Sequence, residues 1–281
     1  MEVPRKWKVL LLLALAQLLA MSLWFSATAV TPALVEEWQL SPGSAAWLTM
    51  TVQLGFVTGA LLSALLNVAD IWEPRKVCAS GAIFGAVLNA LIPLLGAGFV
   101  AALALRFATG MARAAVYTVG MKIMATWTKE DRGLGLGLLV GALTVGSASP
   151  HLIRGLGGGG IGDWRPVMYV VSALAMAGGL LMWFYGTLGP YRSPAPKFRW
   201  SYLAHALTKR ELRLANFGYL GHMWELYAMW TWIPVFLAVA YSRAPTTSIF
   251  GTLGPERSAA FVACLAIAAG GPGSLLAGNL A

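Results

Sequence analysis

Eight long apolar stretches alternate with polar segments along the chain. The apolar stretches cover residues 9–30, 44–67, 77–95, 99–121, 134–154, 167–187, 214–240 and 258–280. A helix that crosses a membrane needs about 20 mainly apolar residues, and each stretch has this length. The polar segments are short, except for residues 188–213, which form a polar connector with a short amphipathic piece. The pattern predicts an all-α integral membrane protein with eight transmembrane helices.

The composition agrees with this pattern and excludes several other classes. Hydrophobic residues make up 58% of the chain and charged residues 11%, with a mean hydropathy of +0.69, whereas a soluble domain carries about 25% charged residues. The net charge of +9 is spread over short loops without interleaved aromatic residues, which argues against nucleic-acid binding. Cys78 and Cys264 both belong to predicted spans, so we expect no disulfide framework, no metal site and no cofactor.

The basic residues predict the orientation in the membrane. With a cytoplasmic N-terminus, the loop residues that face outward are Arg154, Arg165, Arg243 and Arg257. The residues that then face the cytoplasm are Arg5, Lys6, Lys8, Arg75, Lys76, Lys122, Lys129, Arg132, Arg192, Lys197, Arg199, Lys209, Arg210 and Arg213. This is the positive-inside bias of short loops. It predicts a multi-pass protein of the cell inner (plasma) membrane with its N-terminus in the cytoplasm.

Two predicted spans carry ionisable residues. Arg106 and Arg113 lie seven residues apart in the fourth span, and His222 and Glu225 lie three apart in the seventh, so each pair shares one helix face. A charge near the bilayer centre costs at least about 2.5–3.5 kcal/mol on insertion scales, and such residues often mark a transport pathway or a proton relay. The alternatives are that Arg106 extends toward the outer surface and that Glu225 forms a structural pair.

Uncharged residues add weaker signals. Gln17 places a polar group in the first span, and we expect it on the pathway, although a glutamine in a span often only joins two helices. Gly137 and Gly141 have the spacing of a close helix contact. Residues 155–160, GLGGGG, lack the Gly-Lys-Ser/Thr ending of a phosphate-binding loop and predict a flexible loop. No pattern of nucleophile, acid and base indicates an enzyme.

The segment NVADIWEPRK, between the second and third spans, resembles the cytoplasmic signature loop of the major facilitator superfamily (MFS) of secondary transporters. Asp70, Arg75 and Lys76 stand at the positions of the signature's aspartate and basic pair, so the resemblance implies that they form a gating loop. The departures are Leu66 for the first glycine, Ile71 for a basic residue and Glu73 for the second glycine.

Other segments strengthen the resemblance. LRFATGMARA is similar to the family's fourth-span arginine motif, with Arg106 as the arginine and Gly110 beyond it. WTKEDRGLGLG and GDWRPVMYVVSALAM are similar to the loop after the fourth span and to the entry of the sixth. GYLGHMWELYAMWTWIP resembles the seventh span of a bacterial subgroup compared with nitrate/nitrite and sugar-phosphate permeases, but the nitrate signature is absent, so nitrate is not predicted.

The resemblance implies two six-helix halves that rock about a central site, lined by the first, fourth and seventh spans. Residues 1–187 would form the N-terminal half, 188–213 the cytoplasmic central linker, and 214–281 the start of the C-terminal half. About eight of the expected twelve helices are then present. The ending GNLA aligns Ala281 with Ala69 of the signature loop, so we expect a C-terminal truncation just before a second copy of that loop.

These observations predict a secondary active transporter of a small solute, such as an organic or inorganic anion, that is proton-coupled and works by alternating access. Arg106 and Arg113 would attract the anion or balance a carboxylate, and Glu225, with His222, would carry the proton. The expected partners are a small-molecule substrate, protons and the lipid bilayer, with no nucleic acid and a monomeric complete protein. The alternatives are a truncated fragment that transports nothing, and a polytopic membrane protein with a structural or enzymatic role.

Overall fold

The computed structural model describes residues 3–96, 98–157, 163–192, 200–244 and 253–280. Three predicted features fall partly or wholly outside these ranges: Ala281, residues 158–160 of the glycine-rich segment, and residues 193–199 of the linker. The division into two halves with a central linker therefore stays a prediction.

Twelve helices and no strand occupy the described ranges. In chain order they are α1 (Val3–Met21), α2 (Ser26–Trp38), α3 (Pro42–Leu65), α4 (Val68–Ile71), α5 (Pro74–Leu94), α6 (Phe99–Trp127), α7 (Arg132–Leu156), α8 (Arg165–Tyr185), α9 (Trp200–Thr208), α10 (Arg210–Arg243), α11 (Pro255–Ala268) and α12 (Gly270–Leu280). Eight segments are long and apolar enough to cross a membrane, which confirms the all-α class and the predicted number of spans.

The first span is longer than predicted and is broken. It runs from Lys6 to Trp38, with α1 and α2 separated by a turn at residues 22–25. The predicted stretch ended at residue 30, but α2 continues past Pro32 and ends only where Gln39 adopts a left-handed conformation (φ 51°, ψ 47°). The backbone N–H of Gln39 there bonds to the Val35 carbonyl, a common way to end a helix.

Glycines bring α3 and α6 into direct backbone contact. A Cβ atom added to Gly110 of α6 would overlap the carbonyl oxygen of Val52 in α3. The contact is reciprocal, because a Cβ at Gly59 of α3 would lie 2.6 Å from the carbonyl oxygen of Met111. Small residues that allow two backbones to approach are a main source of helix association in lipid. The contact positions α6, which carries both buried arginines.

The predicted close contact at Gly137 and Gly141 is confirmed. A Cβ at Gly137 of α7 would lie 2.5 Å from the carbonyl oxygen of Ser274, and one at Gly141 would lie 2.9 Å from that of Gly271. Both partners belong to α12. This contact joins α7 to the last described span along much of its length.

Polar contacts mark the two ends of the bundle. At one end, the Lys6 ammonium donates to the Asp131 carboxylate at 2.6 Å, which connects the start of α1 to the turn before α7. At the other end, Arg154 of α7 donates to Glu256 of α11 at 3.2 Å, and Arg257 donates to the Gly155 carbonyl at 3.0 Å. We call these the Lys6 end and the Arg154 end.

The substitution Gly110→Ala tests the contact of α3 with α6. We expect it to lower the free energy of unfolding by about 1–3 kcal/mol, because the added methyl group meets backbone that can only shift as a unit. Thermal unfolding in detergent measures the effect. Gly218→Ala in α10 is the matched control, since nothing lies within 4 Å of a Cβ built there; equal melting temperatures for the two variants would contradict the packing described.

Candidate functional site

One face of α1 lies along α6, and this contact contains most of the buried polar groups near the middle of the bundle. Gln17 and Met21 of α1 are buried, and so is Trp24 in the turn that follows this helix. Gln17 packs against Gly120, where a Cβ would lie 2.9 Å from the Gln17 Oε1 atom. Met21 and Trp24 lie further toward the Arg154 end, where α6 places its two arginines.

Arg106 is fully buried, and its guanidinium group is bonded to several acceptors at the break between α1 and α2. It donates from Nη2 to the Trp24 carbonyl at 2.7 Å, and from Nη1 to the Leu23 carbonyl at 3.0 Å and to Ser26 Oγ at 2.9 Å. Its Nε donates to the Leu48 carbonyl of α3 at 3.3 Å.

These bonds satisfy backbone groups that the break would otherwise leave buried and unpaired. The Leu23 and Trp24 carbonyls lie in the turn between α1 and α2, beyond the last residue of α1. Buried backbone carbonyls need a hydrogen-bond donor, and a charged donor forms the stronger bonds. Ser26 extends the network, since it donates to Asn89 of α5 at 2.9 Å, and Asn89 donates to Ser172 of α8 at 2.9 Å. Arg106 therefore holds the first span in its broken form.

Arg113 is equally buried but is poorly satisfied. Its exposed fraction is 1%, and its Nη2 donates only to the Met21 sulfur at 2.8 Å, a weak acceptor. The Nε and Nη1 atoms have no hydrogen-bond partner among the described residues. The guanidinium carbon lies 4.1 Å from the centre of the Trp24 ring, a cation–π contact.

Further buried polar atoms, on α1 and in the turn after it, lack hydrogen-bond partners. Both amide atoms of Gln17 and the indole Nε1 of Trp24 are buried without a hydrogen bond in the described part of the chain. Since more than about 90% of buried polar groups in proteins are hydrogen-bonded, a set of such atoms beside Arg113 is unusual.

Aromatic rings surround these polar atoms. The Trp24 ring stacks on Tyr227 of α10 with centroids 5.5 Å apart, and it contacts Phe56 of α3 at 5.1 Å. Phe25 meets Trp230 edge-on at 5.6 Å. Helix α10 thus faces the first span with Tyr227 and Trp230.

A sequence profile of the Major Facilitator Superfamily matches residues 13–281. The chain belongs to this family. Membership agrees with the resemblance found in the sequence, and the family consists of membrane transporters, not enzymes. The proposed nitrate or sugar-phosphate subgroup stays a prediction.

Solved structures of this fold are similar to the chain. A bacterial homologue of the human lysosomal transporter Spinster, inward-facing and unoccupied, has a TM-score of 0.61 and 19% identity over 98% of this chain and 61% of its own. Its inward-facing, occupied form has a TM-score of 0.60 and 18% identity over 95% of this chain and 60% of its own. This MFS chain therefore spans about three-fifths of the length of these Spinster homologues. No curated protein sequence matches it.

His222 and Glu225 are not brought together with the arginines. Both side chains are exposed and lie on the face of α10 that points away from Trp24. Met229, on the same face, is 42% exposed, whereas Trp230 on the opposite face is 4% exposed. The sequence showed that the pair shares a face, but it could not show which face of α10 packs on the first span.

The signature loop of this MFS chain pairs its charges within the loop and with α6. Asp70 accepts a hydrogen bond from Lys122, which also donates to the Ala69 carbonyl at 3.0 Å. Glu73, a departure from the family signature, binds both Arg75 and Lys76. The hydrogen bonds from Arg75 and then Lys76 lower the pKa of Glu73 from its ordinary value. Whether the loop acts as a gate stays a prediction.

Sequence reasoning missed Trp24, Tyr227, Ser147 and His151. The two aromatic residues are hidden among the chain's 12 tryptophans and 8 tyrosines, and no local pattern distinguishes them. Ser147 and His151 could have been found, because they lie four residues apart in a predicted span and share one helix face.

Matched substitutions of the two arginines separate their roles in stability. We expect Arg106→Met to lower the free energy of unfolding by about 3–5 kcal/mol, because it leaves the carbonyls at the helix break buried and unpaired. Arg113→Met should leave stability unchanged or raise it, because it removes a buried charge that no described carboxylate balances. Thermal unfolding in detergent measures both, and a larger loss for Arg113→Met would contradict the assignment.

Proposed function

We propose that this chain provides the substrate pathway of a secondary active transporter that moves a small organic anion by alternating access. The observation that carries the proposal is the unbalanced charge of Arg113. No ion pair among the described residues includes it, and two of its three nitrogen atoms are buried without a partner.

A buried cation without a counter-charge favours binding of an anion. Removing an ion from water costs several kcal/mol, and the cost is offset only by an opposite charge with good hydrogen bonds. The planar guanidinium group suits a carboxylate, phosphate or sulfonate, whose oxygens can accept two parallel hydrogen bonds. The free Nε and Nη1 atoms of Arg113 lie on different edges of the guanidinium group, and each shares its edge with Nη2. An anion on one of these edges would accept from a free nitrogen and from the second N–H of Nη2.

The aromatic rings favour an organic anion over an inorganic one. Trp24, Phe56 and Tyr227 form apolar walls beside the guanidinium group. A flat or apolar body attached to the anionic group would pack on these rings, and the unpaired amide of Gln17 could bind a further polar group. An inorganic anion would satisfy Arg113 but leave the rest of the site unused.

Family membership supports alternating access. Transporters of this class bind substrate near the midplane, and one half of the bundle rocks against the other. Contacts that such a movement would have to change are present at the Arg154 end, where α7 bonds to α11. The distribution of basic residues supports a cytoplasmic N-terminus in the cell inner membrane, and we propose a monomer.

We retain Glu225 as a candidate for proton coupling, with His222 one turn away. Glu225 lies in the middle part of a predicted span, where an ionisable residue is costly and often functional. The test is Glu225→Gln in liposomes with an imposed pH gradient, in which uptake of organic anions is followed by mass spectrometry of the vesicle contents. We expect loss of gradient-driven accumulation, and accumulation equal to that of the native chain would remove Glu225 from this role.

The anion site itself is tested by ligand-dependent thermal unfolding in lipid nanodiscs. Benzoate, benzenesulfonate, phenyl phosphate and inorganic phosphate are added singly to the native chain and to Arg113→Gln. An anion present at 100 times its Kd stabilises a protein by about 2.7 kcal/mol, so we expect the native chain to melt higher with an aromatic anion and Arg113→Gln to show no change. Glu225→Gln is the control and should keep the response.

Two outcomes would contradict this assignment. One is that none of the four anions raises the melting temperature of the native chain. The other is that Arg113→Gln responds to the same anion as strongly as the native chain does.

A further inference from the structure

Helix α7 carries a second pair of buried, unsatisfied polar side chains. Ser147 and His151 have exposed fractions of 0% and 1%. The Ser147 hydroxyl and the His151 Nε2 atom have no hydrogen-bond partner among the described residues. Residues four apart on a helix lie one turn apart on the same face. They therefore form one buried polar strip on α7.

The packing of α7 shows that this strip faces the interior of the bundle. Gly146 contacts α1, where a Cβ would lie 2.9 Å from the Met21 Cβ, and Gly155 contacts α11, where it would lie 3.2 Å from the Phe261 ring. At 100° per residue, Ser147 and His151 lie between these two directions. Leu156, on the opposite side of α7, is 62% exposed.

The strip lies at the depth of the proposed anion site. Gly146 packs on Leu18 and Met21 of α1, and the Met21 sulfur is the atom to which Arg113 donates. Ser147 is therefore at the height of the Arg113 guanidinium group, with α1 between the two helices. His151 lies one turn nearer the Arg154 end.

Cations predominate among the groups near His151. On its own helix, Arg154 follows three residues later and bonds to the Ala29 carbonyl and to Glu256. Helix α12 carries no titratable side chain, and α1 carries Arg5, Lys6 and Lys8 near its start and none from Val9 to Met21. The other elements in contact with α7 bring the following titratable or charged residues: Glu36 and Glu37 from α2; Arg106, Arg113, Tyr117 and Lys122 from α6; Arg165, Tyr169 and Tyr185 from α8; and Glu256, Arg257 and Cys264 from α11.

Two of the three carboxylates on these elements already have partners, and the third, Glu36, is exposed. Glu37 is bonded by Trp164 and Arg165, and Glu256 is bonded by Arg154. A proton on His151 would therefore add a positive charge to a region in which the cation of Arg113 is unbalanced. Like charges disfavour each other strongly where water is excluded, and an anion at Arg113 would remove much of this repulsion.

We propose that His151 binds a coupling proton of its own, in addition to the one proposed for Glu225, and that its protonation favours anion binding at Arg113, so that the chain carries proton and anion together. This inference rests on the proposed function. The coupling follows from linkage: an anion that favours the protonated imidazole must itself bind more tightly when the imidazole is protonated, by the same factor. Histidine suits the role because its ordinary pKa of about 6.5 allows it to gain and lose a proton near neutral pH.

The first experiment detects the proton directly. The chain has three histidines, and the other two, His205 and His222, are substituted by glutamine so that ¹⁵N-histidine labelling reports on His151 alone. In nanodiscs, we expect its imidazole nitrogen signals to titrate between pH 4 and pH 9. An imidazole that keeps one protonation state across this range would overturn the proposal whether or not an anion binds.

The second experiment measures coupling with benzenesulfonate, which stays ionised across the range. We expect its Kd for the native chain to fall on acidification by up to about tenfold per pH unit, the limit for one linked proton. His151→Gln should still bind the probe, but with a Kd that does not change with pH. Ser147→Ala controls for disturbed packing of α7 and should keep the pH dependence.

The results separate this inference from the proposed function. Equal pH dependence in the native chain and His151→Gln would overturn the coupling and leave the anion site intact. If the pH dependence of binding is lost in Glu225→Gln and kept in His151→Gln, the proton that controls anion binding belongs to Glu225, and the role of His151 is overturned. Failure of the native chain to bind any of the four anions would overturn both.

Discussion

The architecture of the site depends on how two buried arginines of one helix are satisfied. Arg106 is surrounded by backbone carbonyls and a hydroxyl at the break of the first span, so its charge is stabilised by these acceptors. Arg113, two turns away, has only a sulfur atom and an aromatic ring. We propose that the first arginine supports the broken form of the first span and that the second binds a ligand.

The break in the first span determines which groups surround each arginine. Between α1 and α2 the chain turns at residues 22–25, which exposes carbonyls to Arg106 and places Trp24 and Phe25 next to α10. Trp24 then contacts Arg113 on α6 and Tyr227 on α10. This turn therefore supplies the acceptors for Arg106, the aromatic ring beside Arg113 and the contact between the first and seventh spans.

Much of the fold could be predicted because it follows from local patterns. Span number and class come from the length of apolar runs, and the packing at Gly137 and Gly141 comes from their spacing. The break at residues 22–25 could not be predicted, because MSLWFS contains neither glycine nor proline and the turn is stabilised by Arg106, about 80 residues away in the chain. For the same reason, the sequence marked both arginines but could not separate the satisfied one from the unsatisfied one.

The position of α10 shows a second limit of sequence reasoning. Glu225 and Tyr227 are two residues apart and lie on different faces, and only tertiary packing decides that Tyr227 contacts Trp24. Conversely, a single histidine in an apolar span, such as His151, does not by itself indicate a functional site. Its burial beside Ser147, at the depth of Arg113, does. Buried polar atoms without hydrogen-bond partners indicate this site more directly than the number of charged residues in each span does.

The central claim is that the Arg113 guanidinium group binds an anion. The most direct test is a crystal structure of the chain soaked in 4-bromobenzenesulfonate, with the bromine located by its anomalous scattering. We expect sulfonate oxygens within hydrogen-bond distance of Arg113, on the edge that carries Nε or on the edge that carries Nη1, and a bromophenyl ring against Trp24. A carboxylate of the protein bound to Arg113, with the probe elsewhere, would contradict it.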